Sequence, residues 1–156
     1  MRIVPRLALT PVVVLVLLGG CASPNEPAQE DTSTPAVVPT TPEPFRGLPD
    51  GADTSGESPA GIVVGQDGLI QVVTYGSSSN PRIVHGATAS GQTVEVDVHD
   101  VPGRPATRDY SPTTSAFVLP SGVDPDEPVS FELGRLGSVR LDEITPGAQG
   151  WVEVPG

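Results

Sequence analysis

The stretch that decides the fold class is TVEVDVH, residues 93–99. Its three valines fall at every second position, and polar side chains fill the positions between them. Because successive side chains of a strand point to opposite faces, this alternation predicts a strand with one buried and one solvated face. The same alternation recurs in VSFEL, residues 129–133, and in VRL, residues 139–141. We therefore expect an all-β fold.

Turn signals between the apolar runs predict how the strands connect. Asp67-Gly68 separates two apolar runs, and both residues tolerate the positive φ of a tight turn. Polar and glycine residues at 89–92 and 134–137 play the same part elsewhere. The sequence thus predicts three hairpins, 62–65 with 69–75, 82–88 with 93–99, and 131–133 with 139–141.

Two further strands are predicted at 114–119, stopped by Pro120, and at 151–154. No stretch keeps a helical period over three turns. Seven or eight short strands between residues 61 and 156 favour a small β-sandwich or barrel, with an immunoglobulin-like topology as one alternative. The large side chains expected in its core are Tyr75, Phe117, Phe131 and Trp151.

Residues 22–60 differ sharply from the rest of the chain in composition. Proline recurs every few residues, acidic side chains far outnumber the single Arg46, and Phe45 is the only aromatic residue. Such a segment buries too little apolar surface to offset the chain entropy lost on ordering, and its prolines favour extended conformations. We expect residues 21–60 to form a disordered stalk ahead of a β-domain at 61–156.

The N-terminus has the three parts of a secretory signal peptide. Arg2 and Arg6 precede an apolar run at residues 7–18, and Gly19 and Gly20 supply the small side chains that a signal peptidase needs. The run is too short to cross ~30 Å of hydrocarbon as a helix. We expect residues 1–20 to be a signal peptide that is cleaved after Gly20.

The residues at the cleavage point, LGGC at 18–21, resemble the lipobox of bacterial lipoproteins. The resemblance implies that the Cys21 thiol receives a diacylglycerol and that Cys21 then begins the mature chain, held by palmitate-type acyl chains. Cys21 is the only cysteine, so an internal disulfide is excluded. An ordinary signal peptide with an incidental cysteine is the alternative. The implied location is the outer face of the cytoplasmic membrane.

A second resemblance covers VTYGSSSNP, residues 73–81, and DYSPTTS, residues 109–115. This pattern is similar to small uncharacterised secreted proteins of actinobacteria, which carry a cysteine at the position of Asn80 and another near Ala106. The resemblance implies that this chain has replaced a disulfide there, and it implies no activity. Arginine without lysine, among abundant Ala, Val, Thr, Pro and Gly, is likewise typical of a high-GC Gram-positive bacterium.

The charge of the chain narrows the classes of partner. Its formal net charge is −11, and Arg2 and Arg6 of the predicted signal are among its eight basic residues. Nucleic acids need basic contacts to their phosphates, and anionic lipid headgroups attract basic segments. We therefore expect no nucleic-acid partner and a membrane attachment made through the lipid alone.

Catalytic and metal-binding patterns are sparse. Ser77, Ser78 and Ser79 do not form the Gly-x-Ser-x-Gly elbow of a hydrolase. His85 or His99 could serve as a base, oriented by Asp97, Asp100 or Asp109, and the two histidines could suit zinc. Oxygen-rich turns suit Ca²⁺, and the candidate ligands here are Asp124, Asp126 and Glu127, although a solvated turn between two strands is the favoured explanation.

The sequence therefore predicts a membrane-anchored surface lipoprotein whose β-domain is a non-enzymatic binding or structural module of the cell envelope. No cofactor is expected, and the partner would be another envelope protein or a wall polymer. Loops on a rigid sheet commonly carry binding, which points to residues 75–81 and 102–112. Candidate contact residues are Tyr75, Ser77, Ser78 and Asn80. The alternatives are a small-ligand or metal-binding envelope protein and, less favoured, a hydrolase.

Overall fold

The computed structural model describes residues 41–53 and 58–154, so the predicted cleavage and lipidation sites at Gly20 and Cys21 lie outside the described residues. Within these ranges the chain forms nine strands and one short 3₁₀ turn, Gly134–Leu136. The strands are β1 Phe45–Arg46, β2 Ala60–Val64, β3 Ile70–Gly76, β4 Ile83–Ser90, β5 Thr93–His99, β6 Ser111–Phe117, β7 Val129–Glu132, β8 Ser138–Leu141 and β9 Gln149–Trp151.

The strands form two separate sheets packed face to face. The first sheet has the order β1-β6-β3-β2-β9, and the second has the order β4-β5-β7-β8. The paired strands run antiparallel except β5 and β7, which are parallel. The predicted all-β sandwich is thus confirmed, and it is not a closed barrel. It has nine strands where seven or eight were expected.

The three predicted hairpins are present. β2 pairs with β3, β4 with β5 and β7 with β8, all antiparallel. The turn glycines Gly68 and Gly91 adopt φ values of 79° and 58°, which favour glycine over residues with a Cβ. The two remaining strands are displaced from their predicted bounds, since β6 begins at Ser111 and β9 ends at Trp151.

The core lies between the two sheets and follows the alternation of the strands. In β5, Val94 and Val96 are buried while Glu95 and Asp97 are exposed, as predicted. Phe131 is fully buried at the centre of the core, and Phe117 is also buried. Burying such side chains is the main favourable contribution to folding.

Tyr75 and Trp151, which were expected in the core, are not part of it. Both are only half-buried. Trp151 pairs with Gly61 and Gly61 with Val73, so these residues share a face, and Tyr75 follows Val73 on that face two positions later. Ile62 and Val72 occupy the opposite, core-facing side. The two aromatic side chains therefore lie on the outer face of the first sheet.

The folded part begins earlier than the predicted boundary at residue 61. Phe45 and Arg46 form β1, which pairs with Thr114 and Thr113 of β6. The peptide N–H of Gly47 continues the ladder by donating to the carbonyl of Pro112 over 3.0 Å. The described part of the predicted stalk thus contributes an edge strand, a position where proline can flank a ladder.

After β1 the chain leaves the edge and crosses the outer face of the first sheet as a strap, residues 47–53. At one end, the Thr114 hydroxyl donates to the Gly47 carbonyl over 2.8 Å. At the other end, the Asp53 N–H donates to Oε1 of Gln149 over 2.9 Å, and Nε2 of Gln149 donates to Asp53 over 3.1 Å. Because Gln149 belongs to β9, the strap joins opposite edges of the sheet.

The strap explains why the first sheet is apolar on both faces. Val63 and Val73 point away from the core cluster, yet their exposed fractions are 2% and 0%. Pro49 of the strap is itself buried. The strap therefore forms a short third layer over the first sheet. It adds to the buried apolar surface, which a domain of this size needs for stability.

Glycines allow the two sheets to meet closely along one side. A Cβ at Gly150 would lie 2.7 Å from Cγ1 of Val139, and one at Gly137 would lie 2.6 Å from Cγ1 of Val152. β8 and β9, the edge strands of the two sheets, thereby pack against each other.

In residues 41–53 and 58–154, no helix is long and apolar enough to cross a membrane.

Candidate functional site

The two loops predicted to carry binding meet at one end of the sandwich. Residues 77–80 follow β3, and residues 101–110 precede β6, its neighbour in the first sheet. The Ser77 hydroxyl accepts a hydrogen bond from the peptide N–H of Thr107 over 2.9 Å. The Ser79 hydroxyl accepts from the same N–H over 3.1 Å and donates to the carbonyl of Pro105 over 3.2 Å. The serines thus anchor one loop to the other.

Asp109 holds the same junction through its carboxylate. It accepts hydrogen bonds from the Ser78 N–H over 3.1 Å, from the Thr107 hydroxyl and from the Ser111 hydroxyl over 3.0 Å. The hydrogen bonds from Ser78 and Thr107 lower the pKa of Asp109 well below its ordinary value. The carboxylate is therefore charged across the physiological range and engaged in holding the loops.

Asn80 is the buried link in this junction, with only 3% of its surface exposed. Its Nδ2 donates to the carbonyls of Val101 and Arg104, each over 3.1 Å, and its Oδ1 accepts from the N–H of Val101 over 3.2 Å. The side chain that stands where a disulfide was implied therefore joins its loop to residues 101–104 by hydrogen bonds. Asn80, one of the four candidate contact residues, therefore positions the loop at 101–104.

A row of three aromatic rings lies beside the loop junction. The Tyr110 ring stacks on Tyr75 with centroids 4.9 Å apart and planes 15° apart. The Tyr75 ring is tilted 47° to Trp151 at 6.5 Å. Tyr110 keeps 56% of its surface exposed, and its hydroxyl donates to the carbonyl of Ser58 over 3.0 Å. The row thus presents aromatic surface on the outside of a rigid sheet.

The indole of Trp151 lies directly against the backbone of Gly61. A Cβ at Gly61 would come within 2.2 Å of Cε3 of Trp151, so only glycine accommodates the ring in this position. Trp151 also borders an open groove of about 510 Å³ between β8 and β9. The polar side chains that line this groove are Ser138, Arg140 and Glu153. Trp151 therefore belongs to both the aromatic row and the groove.

The histidines do not assemble a catalytic arrangement with the serines. His85 lies in the bulge of β4, where its ring stacks on His99 at 3.7 Å. Nε2 of His99 lies 3.7 Å from an oxygen of Asp97. Among the described hydrogen bonds of Ser77, Ser78 and Ser79, none involves a histidine. Asp109, a candidate orienting residue, bonds to Ser78, Thr107 and Ser111 instead.

The acidic turn at residues 124–127 is held by hydrogen bonds within the turn and to Gln92. Oδ1 of Asp124 accepts from the N–H of Asp126 over 3.0 Å, and the Asp124 backbone exchanges two hydrogen bonds of 2.9 Å with the amide of Gln92. In the part of the chain that the structure describes, no three His, Cys, Asp or Glu side chains are grouped to hold a metal ion.

A shallow groove of about 710 Å³ on the second sheet is lined in part by Glu95, Asp97 and Glu132.

Sequence reasoning placed Tyr110 in the predicted binding loop at 102–112 without singling it out, and it assigned Trp151 to the core. Tyr110 adjoins a proline-rich loop and carries no periodic signal, and Trp151 is a large apolar residue that alternation assigns to a core. The one available signal was Gly61, because a glycine inside a strand often marks the close approach of another group. The glycine alone does not show which side chain approaches it.

Comparison with known proteins supplies no relative from which to transfer a function. No family model matches the chain, no curated protein matches it, and no solved structure matches it.

Proposed function

We propose that the protein is a lipid-anchored surface protein that displays its β-sandwich as a non-enzymatic binding module of the cell envelope. The resemblance of residues 18–21 to a lipobox supports the anchor, with Cys21 as the lipidated residue. The acidic charge of the chain supports attachment through lipid rather than through headgroup contacts. The proline-rich residues ahead of Thr41 would act as the tether.

The observation that carries the binding role is the rigid junction of the two loops beside Tyr110. Asn80 and Asp109 make six of the hydrogen bonds described above, so the loop positions are fixed before any partner arrives. A surface that is ordered in advance loses less conformational entropy on binding. An exposed aromatic residue beside it is typical of the residues that dominate binding energies.

Metabolic labelling with palmitate tests the anchor. We expect the wild-type chain to be labelled and found with membranes, and the Cys21→Ser variant to be unlabelled. Ser23→Ala, two positions away, is the matched control and should label like the wild type. Equal labelling of the Cys21→Ser variant would contradict lipidation at Cys21.

Site-specific crosslinking in intact cells tests the binding module. A photo-crosslinking amino acid placed at Tyr110 should capture an envelope component, whereas one placed at Val118 should not. Val118 is the matched control because its exposed fraction, 45%, is close to the 56% of Tyr110, and it lies after β6 instead of before it. Identical capture patterns at the two positions would count against the proposed surface.

A further inference from the structure

We propose that the groove between β8 and β9, together with the aromatic row of Trp151, Tyr75 and Tyr110, binds the neutral sugar rings of an envelope polysaccharide. This inference deepens the proposed function by naming its ligand class, and it rests on that function. The ligand would lie along the groove and stack on the rings at its border.

The aromatic surface has the geometry that sugar rings need. A pyranose has one face of C–H groups, and these carry a partial positive charge that is attracted to the electron-rich face of an aromatic ring. Tyr110 and Tyr75 are within 15° of parallel and cover each other's facing sides, so the ring offered to a sugar is the exposed Tyr110. Tyr75 and the tilted Trp151, 6.5 Å apart, connect this ring to the groove.

The groove supplies the polar half of such a site. Its volume of about 510 Å³ falls within the usual range for small-ligand sites, which is roughly 300–1,000 Å³. Ser138, Arg140 and Glu153 line it and are exposed, so donors and acceptors are available to sugar hydroxyls. Gly137 and Gly150 also border it, and the space beside their Cα atoms is filled by Val152 and Val139, so the polar groups of the site come from the three side chains.

The charge of the chain favours a neutral polymer over an anionic one. The chain carries 19 acidic residues against eight basic ones, and in the groove itself Glu153 offsets Arg140, so the groove has no net positive charge. A polyanion such as a phosphate-rich wall polymer would be repelled at low salt. A neutral saccharide meets no such barrier.

The edges of the two sheets disfavour an extended peptide as the ligand. β8 has four residues and β9 has three, which offers little length for strand addition. The position of a Cβ on Gly150 lies 3.5 Å from the Arg140 carbonyl, so the two edges already lie against each other. A peptide strand has no room to pair between them.

Trp151 is the only tryptophan of the chain, so its fluorescence reports on the site directly. The probe is N-acetylglucosamine tetramer, titrated into the full chain carrying Cys21→Ser to keep it in solution. We expect a saturable change in Trp151 emission, and a Tyr110→Ala variant should raise the dissociation constant at least tenfold. Arg140→Ala should raise it about threefold to tenfold.

Val118→Ala is the matched control, because it removes an exposed apolar side chain outside the aromatic row and should leave the dissociation constant unchanged. Circular dichroism confirms that each variant is folded before titration. No change in emission up to about 20 mM tetramer, or equal binding by the Tyr110→Ala variant, would overturn the proposal. A response to a ten-residue Val/Thr peptide but not to the tetramer would overturn it as well.

The two proposals fail separately. Loss of palmitate labelling in the wild type would remove the lipid anchor and leave saccharide binding standing. Absence of a Trp151 response, with labelling and crosslinking intact, would remove the saccharide and leave a lipid-anchored module with another partner.

Discussion

Phe131 is the residue on which the core depends most. It is fully buried on β7, between the two sheets. We expect Phe131→Ala to lower the free energy of unfolding by about 3–5 kcal/mol, because the lost apolar surface and the cavity add together. That loss is a large share of the roughly 5–15 kcal/mol typical of a folded domain.

Chemical denaturation of the two proteins measures this loss. Val118→Ala, on an exposed side chain, is the control and should change the free energy of unfolding by less than about 0.5 kcal/mol. If the Phe131→Ala variant unfolds at the same denaturant concentration as the wild type, the side chain is not in the core.

Asn80 is predicted to set the order of the loop at 101–110. In an Asn80→Asp variant, a carboxylate would face the carbonyls of Val101 and Arg104 that now receive the Nδ2 donors. Leaving two part-buried carbonyls without donors and placing a carboxylate against them should cost about 2–4 kcal/mol. Hydrogen exchange of residues 101–110 should accelerate. Unchanged protection there would show that the loop is held by the serine and Asp109 contacts alone.

The lowered pKa of Asp109 predicts how the stability of the fold changes with pH. Its pKa is lowered in the folded state, so the carboxylate stabilises the fold above about pH 4, its unfolded value, and this contribution is lost as the pH falls below it. An Asp109→Asn variant should be less stable at neutral pH and lose less stability between about pH 4 and pH 2. Asp142→Asn, at an exposed turn, is the control. Parallel acid-unfolding curves for the wild type and the Asp109→Asn variant would contradict this assignment.

At the scale of elements, the packing of the Trp151 ring of β9 on the backbone of β2 depends on Gly61. In a Gly61→Ala variant, the new methyl group would overlap the Trp151 ring and force it off the sheet. We expect a lower melting temperature and a shift of Trp151 emission. Gly86→Ala is the matched control, because Gly86 also lies in a strand and no atom lies within 4 Å of the place its new methyl group would take. Unchanged emission in the Gly61→Ala variant would contradict the packing of Trp151 on Gly61.

The sequence predicted best the strands that pair with their neighbour in the chain to form a hairpin. The alternation of residues 93–99 and the turn residues 67–68 specify strands and hairpins locally. β1 could not be predicted in this way, because two residues form a strand only when a partner strand supplies the ladder. That partner is β6, where Thr114 pairs with Phe45, 69 positions (114 − 45) earlier in the chain.

The candidate site was predicted as two loops with Tyr75, Ser77, Ser78 and Asn80 as contact residues, but the contacts that join the loops were not predicted. Residues 75–81 and 102–112 do meet, yet their junction depends on Asn80 reaching Val101 and Arg104, which no local pattern encodes. The aromatic row was missed because Tyr75 and Trp151 satisfy an alternating pattern whichever face of the sheet is buried. Only the pairing of Trp151 with Gly61 decides the face.

For the whole molecule, the boundary of the folded part makes a sharp prediction. A chain that begins at Thr41 should melt at the same temperature as one that retains the preceding residues. A chain that begins at Ser58 lacks β1 and the strap, which uncovers Val63 and Val73, and it should melt several degrees lower. Equal melting temperatures for the chains beginning at Thr41 and Ser58 would show that the strap adds no stability.

The strap and β1 also define the path that mechanical load would take. A pull on the chain ahead of Thr41 reaches the sandwich first at β1, which is joined to β6 by two residue pairs and is the shortest described strand. The wider β2, β3 and β6 ladders lie behind it and would bear force only after β1 and the strap have peeled away. We expect tension to expose Val63 and Val73 before the core around Phe131 opens, so that the first yielding step is confined to β1 and the strap.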